Sequence, residues 1–181
     1  MPPLPRGAGR RASWPPLAAL ALQAVLSCAR GDAVRDLDGR AVDVLALAPG
    51  ELAALVFVDP GCPLSNRLAP EIARLARELA GRPVRLALVY CDGSLDAPAV
   101  RAHLSTFGLP DGALLDPQHA LAARLGATVT PEALLVGAGG AVLYRGLVDD
   151  RTEEVGADRP AVTRRYLGEA IEAALAEEDA R

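Results

Sequence analysis

Apolar positions recur along this chain in two alternating rhythms. Residues 33–45, AVRDLDGRAVDVL, alternate apolar and polar around Asp38-Gly39, the pattern of a hairpin closed by a tight turn. Leu52–Val58 (LAALVFV) is a continuous apolar run bounded by Asp59-Pro60-Gly61, which predicts a buried central strand. From Cys62 the period changes. Leu64, Leu68, Ile72, Leu75 and Leu79 fall three or four residues apart, one stripe of a helix that contains Pro70 and ends at Gly81. Val84–Tyr90 (VRLALVY) is a second buried strand.

Asp96-Ala97-Pro98 starts a helix with Val100, Leu104 and Phe107 inward. A loop from Gly108 to Gly112 leads to a short extended Leu114-Leu115. Asp116-Pro117 starts another helix, through Leu121 and Leu125 to Gly126. Ala133–Val136 and Ala141–Arg145 are two strands joined by the glycines of 137–140. A last helix runs from Pro160 to Glu177, apolar at Val162, Tyr166, Leu167, Ala170, Ile171 and Leu175. The order ββ-α-β-α-α-β-β-α fits one α/β domain over residues 34–177 with a central mixed sheet flanked by helices. A strand–helix–strand passage implies a parallel pair, and the last two strands an antiparallel one.

The start of the chain has a different character. Arg6, Arg10 and Arg11 precede an apolar run from Leu17 to Leu26, then small residues, the layout of an export signal over residues 1–28. The run is short for a membrane span. Val25-Leu26-Ser27-Cys28 resembles a lipobox, which would make Cys28 a lipidated first residue; cleavage after Ala29 or Gly31, or an uncleaved start, are the alternatives. The expected location is periplasmic or otherwise extracytoplasmic, with membrane contact only through that anchor.

Charge narrows the partners. Every basic residue is arginine, and beyond residue 27 there remain 16 arginines against 23 acids, a net charge of −7. No basic patch interleaves with aromatics, so nucleic acid is not an expected partner. Export places Cys62 and Cys91 where a disulfide can persist, and two thiols allow one bridge without demanding it.

Four features together resemble the thioredoxin-like superfamily, and within it the redoxin branch of alkyl hydroperoxide reductase and thiol-specific antioxidant-like domains. They are the strand–turn–Cys–helix passage ALVFVDPGCPLS, Pro70 eight residues after Cys62, Thr130-Pro131 before a strand, and the opening VRDLDGRAV. CPLSNRLAPEI, TPEALLV and LYRGLVDDR resemble bacterial redoxin-domain proteins with C-P-x-S-N at the site. The chain departs from the dithiol pattern: Gly61 stands where a Trp is usual, and Ser65 where the second cysteine would be. The P-x-x-x-T/S-x-x-C signature of peroxiredoxins is absent, with Asp59 and Leu55 at its positions.

A cysteine at a helix N-terminus faces unpaired backbone N–H groups, which favour thiolate, so Cys62 is the expected nucleophile, partly ionised near neutrality. Ser65 is a candidate donor to its sulfur, but it cannot resolve a mixed disulfide. Cys91, at the end of the neighbouring strand, is a candidate resolving thiol, or a small core residue. The resemblance implies a cis bond at Pro131 and a substrate contact at Thr130, with strand-like pairing to a bound segment. Asn66 is a further candidate contact. Asp149-Asp150-Arg151 either lines the approach to Cys62 or is a solvated loop. His103 and His119 are expected at the surface.

Expected partners are protein or small-molecule thiols and disulfides, with peroxides as a second class, and no cofactor or resident metal is implied. The leading expectation is an exported redox protein working through Cys62. The alternatives are a non-catalytic binding module and a copper carrier built on Cys62, Cys91 and a histidine.

Overall fold

The computed structural model describes residues 34–154, 157–158 and 161–179. The segment expected to be an export signal, with Cys28, lies outside them.

Leu52–Phe57 is the strand β2, after a two-residue β1 at Arg35–Asp36, and every residue of β2 is buried. Its backbone is paired on both edges. It runs parallel to β3, Val84–Tyr90, and antiparallel to β5, Glu132–Val136. β4 (Ala113–Leu115) lies parallel to β3, β1 antiparallel to β4, and β6 (Val142–Gly146) antiparallel to β5. The sheet order is β1-β4-β3-β2-β5-β6. Among the described residues no helix is long and apolar enough to cross a membrane.

A strand buried on both faces sends alternate side chains into two cores. Leu52, Ala54, Val56 and Val58 meet Ile72 and Leu75, Val100 and Leu104, and Leu167 and Ile171. These come from α2 (Ala69–Glu78), α3 (Ala97–Phe107) and α5 (Tyr166–Asp179). Ala53, Leu55 and Phe57 meet Leu121 and Leu125 of α4 (Ala120–Leu125), with Val34, Val44 and Leu45. Helices therefore cover both faces. Gly112 sits where a Cβ would meet Leu86 O at 2.7 Å, and its own carbonyl accepts Leu88 N–H. That close approach carries β4 in beside β3.

The sequence-based boundaries change in five places. The helix after Cys62 is two: α1, Pro63–Arg67, and α2, parted at Leu68. Pro70 has no N–H to give Asn66 O, so the ladder breaks one turn after it starts. The helix expected from Asp116 begins at Ala120, because His119 is left-handed (φ 55°) and Asp116 instead turns its carboxylate to Ala122 N–H. The last helix starts at Tyr166. The residues before it run along Asp150, which binds Thr163 N–H, while Asp150 N–H donates to Arg164 O. The 33–45 hairpin keeps its turn but only one bridge, Arg35 with Ala41. A small β7–β8 ribbon, Thr152–Glu154 with Ala157–Asp158, was not expected.

Candidate functional site

Cys62 is placed by the turn that ends β2. Val58 N–H still pairs with Val89 O, and then Asp59 takes over. Its carboxylate accepts Gly61 N–H at 2.6 Å, and its carbonyl accepts Cys62 N–H at 3.0 Å. Cys62 has extended backbone and is the cap of α1, its carbonyl accepting Asn66 N–H. Pro63 follows, so the first helical position offers the sulfur no N–H. Half-buried Cys62 directs its Sγ at Thr130 O, 3.8 Å away. The Thr130–Pro131 bond is cis, and Val129 and Thr130 are exposed. The structure therefore brings together Cys62, Thr130 and Pro131.

Ser65 and Asn66 face inward. Ser65 is buried, and its Oγ accepts Asp59 N–H at 3.3 Å, a tie on the turn rather than on the sulfur. Asn66 donates from Nδ2 to Pro60 O at 3.0 Å, and its Oδ1 meets His103 Nε2 at 2.8 Å. Both ends of the amide are committed inside the protein.

Cys91 and Cys62 are both free thiols. Half-buried Cys91 packs against the second core, with Sγ 4.0 Å from the buried carboxylate of Asp116. Burial, with the Asp116 charge adding to it, pushes the Cys91 thiol up to about 11. It lines a cavity of about 170 Å³ with Phe57, His119 and residues 128–130.

His103 is a correction to the surface expectation. It is buried, with Nδ1 2.9 Å from Tyr90 OH and Nε2 on Asn66. Burial pushes its pKa below the ordinary histidine value, against the opposing pull of the Asp59 charge. Burial likewise raises that of Tyr90. A signal was present in the sequence: His103 lies three residues after Val100, on the inward face of α3. Phe107, expected inward, is 38% exposed, and its ring rests against His103 at 5.0 Å.

Asp149 and Asp150 are buried, not solvated. Asp150 holds Thr163, and Asp149 accepts Arg151 N–H on one oxygen, the other having no partner among the described residues. Burial raises the Asp149 pKa, with Glu71 and Asp150 adding to it. Glu71 is itself buried between Arg74 and Arg165. Among the described residues no three His, Cys, Asp or Glu side chains are grouped to hold a metal ion, so the copper site of Cys62, Cys91 and a histidine is not assembled.

No protein-family model and no curated protein matches the chain. Solved structures do. A hypothetical protein of Sinorhizobium meliloti 1021 is 21% identical with a TM-score of 0.68, over 80% of each chain. A secreted Mycobacterium tuberculosis disulfide oxidoreductase homologous to DsbE of E. coli is 21% identical with a TM-score of 0.55, over 80% of this chain and 94% of that one. The exposed lipoprotein thioredoxin Etrx1 of Streptococcus pneumoniae TIGR4 is 17% identical with a TM-score of 0.53, over 80% and 97%. These likenesses and the mixed six-stranded sheet with its flanking helices establish that the chain has a thioredoxin-like fold.

Proposed function

We propose that this protein is an exported thiol–disulfide oxidoreductase that works through Cys62 alone. The observation that carries the reading is the placement of Cys62 Sγ against the exposed Thr130 backbone. An extended segment laid along residues 128–130 would present its disulfide to that sulfur, a form of strand addition. The Cys62 thiolate attacks one sulfur of the bound disulfide, forming a mixed disulfide and releasing the other sulfur as thiolate. A thiol from a second molecule then attacks the mixed disulfide. It takes the substrate sulfur into a new disulfide and returns Cys62.

The external thiol follows from two placements. Ser65 has no sulfur, and Cys91 is turned to Asp116 with its thiol held protonated. The solved structures named for disulfide oxidoreductase and thioredoxin activity support the same class. The signal at residues 1–28, with Cys28 as its lipid site, fits work outside the cytoplasm. Peroxide reduction is the weaker reading, because no side-chain hydroxyl contacts the Cys62 sulfur among the described residues.

Non-catalytic binding is favoured by one observation: Val129, 61% exposed, stands beside the Cys91 cavity. One assay separates these readings. The full chain is mixed with a mixed disulfide of a peptide and an excess of small thiol, and peptide release is followed. Release that depends on Cys62 supports the proposal. Peptide retention without release supports binding, and, with hydrogen peroxide added in place of the peptide disulfide, thiol-dependent peroxide consumption by a chain that releases no peptide supports the peroxide reading.

A further inference from the structure

Asn66 holds the chain on both sides of Gly61. Its backbone N–H donates to Cys62 O at 3.2 Å, and its side-chain Nδ2 donates to Pro60 O at 3.0 Å. The Pro60–Gly61 peptide is thereby gripped at one end. At the other end, Gly61 N–H donates to the Asp59 carboxylate at 2.6 Å. Pro60 has its φ fixed by its ring, whereas exposed Gly61 has no Cβ to restrict it. The bonds about Gly61 are therefore the loosest joint between β2 and the cysteine. Turning that peptide plane moves the Cys62 backbone, and with it the direction of Sγ, which faces Thr130 O at 3.8 Å.

The Asn66 amide has one allowed orientation. A carbonyl oxygen only accepts, so the amide nitrogen faces Pro60 O, and Oδ1 faces His103 Nε2 at 2.8 Å. Oδ1 also only accepts, so His103 carries a proton on Nε2. Its Nδ1 then accepts the Tyr90 hydroxyl at 2.9 Å. His103 and Tyr90 are buried, where an unmatched donor or acceptor is costly, so the direction is enforced. An amide turned over would set oxygen against oxygen at Pro60 and N–H against N–H at His103. Donation therefore runs from Tyr90 through His103 and Asn66 to the carbonyl two residues before Cys62.

We propose that Asn66 is a positioning residue for Cys62: its amide, aimed by His103 and Tyr90, pins the glycine joint so that the sulfur stays turned to the Thr130 backbone. The role rests on the reading of Cys62 as the nucleophile. A disulfide held along residues 128–130 is reached from one direction, so its exchange depends on where Sγ points. A small alkylating reagent arrives from any open side, and its reaction does not.

The test uses the full chain. Single-turnover exchange with the peptide mixed disulfide gives a limiting rate and a half-saturation concentration, and iodoacetamide labelling of the Cys62 peptide runs beside it. Asn66→Ala is expected to lower the limiting rate about fivefold, the size of one net hydrogen bond, with half-saturation unchanged and labelling no slower. Adding Gly61→Ala to Asn66→Ala is expected to recover part of the lost rate. Gly61 lies outside the left-handed region, and a Cβ there stiffens the joint, meeting only the Asp59 carboxylate at 3.2 Å. Nitrogen NMR of the wild type is expected to show the His103 proton on Nε2, with His119→Gln assigning the signals. Should Asn66→Ala not fold, Tyr90→Phe keeps Asn66 but removes the donor that fixes this tautomer, and it too should lower the limiting rate and spare labelling. An unchanged limiting rate in the variant that folds, exchange and labelling that fall together, no gain from Gly61→Ala, or a His103 proton on Nδ1 alone overturns the proposal. A wild type that is labelled at Cys62 yet exchanges no peptide disulfide instead removes the nucleophile, and the role with it.

Discussion

Cys62 Sγ stands 3.8 Å from the carbonyl oxygen of Thr130, 68 positions further along the chain. The contact joins the cap of α1 to the loop that enters β5. β2 lies between β3 and β5 and delivers both partners to one edge of the sheet. Parallel strands end in such places, and ligand sites of α/β sheets form there. A serine hydroxyl at position 62 can still donate to Thr130 O. Cys62→Ser is therefore expected to melt within a few degrees of the wild type. Disulfide exchange should drop by at least about a hundredfold, because the sulfur that faces the Thr130 backbone is gone. Circular dichroism and peptide release, measured on one preparation, check the two halves.

Cys91 gives the contrasting case. Iodoacetamide reacts with thiolate, and a thiol pushed up to about 11 is ionised in roughly one molecule in ten thousand at about pH 7. Labelling of the Cys91 peptide should therefore lag that of Cys62 by about a hundredfold or more near neutrality. It should climb about tenfold per pH unit as the solution approaches the Cys91 value. Peptide mapping at several pH values reads both thiols at once. A mixed disulfide formed at Cys62 should also persist until small thiol is added, rather than pass to Cys91.

The strands were legible because their burial is written in composition. LAALVF and VRLALVY are apolar runs, and the structure gives β2 and β3 bounds that follow them. The cysteine, the Thr-Pro pair and their meeting were also legible, through the order of motifs. What sequence did not show is where polar side chains turn inward. Ser65 and Asn66 sit in the first turn after Cys62 and look like site residues, yet both point to the turn beneath it. His103 looks like a surface residue until a partner 13 positions earlier, Tyr90, and another 37 earlier, Asn66, satisfy its ring. Such pairings depend on tertiary placement, which a local apolar period does not carry. The helix bounds after Asp116 and before Tyr166 shift for the same reason: Asp116 bonds a backbone N–H six residues on, and the stretch before Tyr166 is held by Asp150.

Asp149 should make the protein less stable than it need be at neutral pH. Its folded pKa is raised, first by burial and then by the nearby Glu71 and Asp150 charges. A carboxyl shifted upward contributes its stability below the unfolded value, near 3.8, and loses it as pH rises through the folded value. At about pH 7 the ionised form is therefore unfavourable in the fold. Asp149→Asn keeps an oxygen for Arg151 N–H and removes the charge. It is expected to raise unfolding free energy by on the order of 1 kcal/mol near neutrality, and by less in acid. Urea titrations at the two pH values provide the comparison.

His103 predicts the opposite slope in a different window. Its folded pKa lies below 6.5, chiefly because the ring is buried. The unfolded chain takes up that proton first as pH falls, so it binds more protons than the native state between the two values. Stability from the neutral ring is complete above about pH 6.5 and is lost as pH falls through that value toward the folded one, by at most about 1.4 kcal/mol per pH unit. The Asp59 charge limits the loss by favouring the imidazolium, and Tyr90 adds to it by presenting a donor to Nδ1. Urea unfolding of the wild type should show this fall between about pH 7 and about pH 5.5. His103→Gln cannot take the proton, so its stability should be level across the same interval. His119 is exposed at the cap of α4, and His119→Gln should retain the wild-type slope. A slope that follows His119 in place of His103 would remove the buried ring from the account.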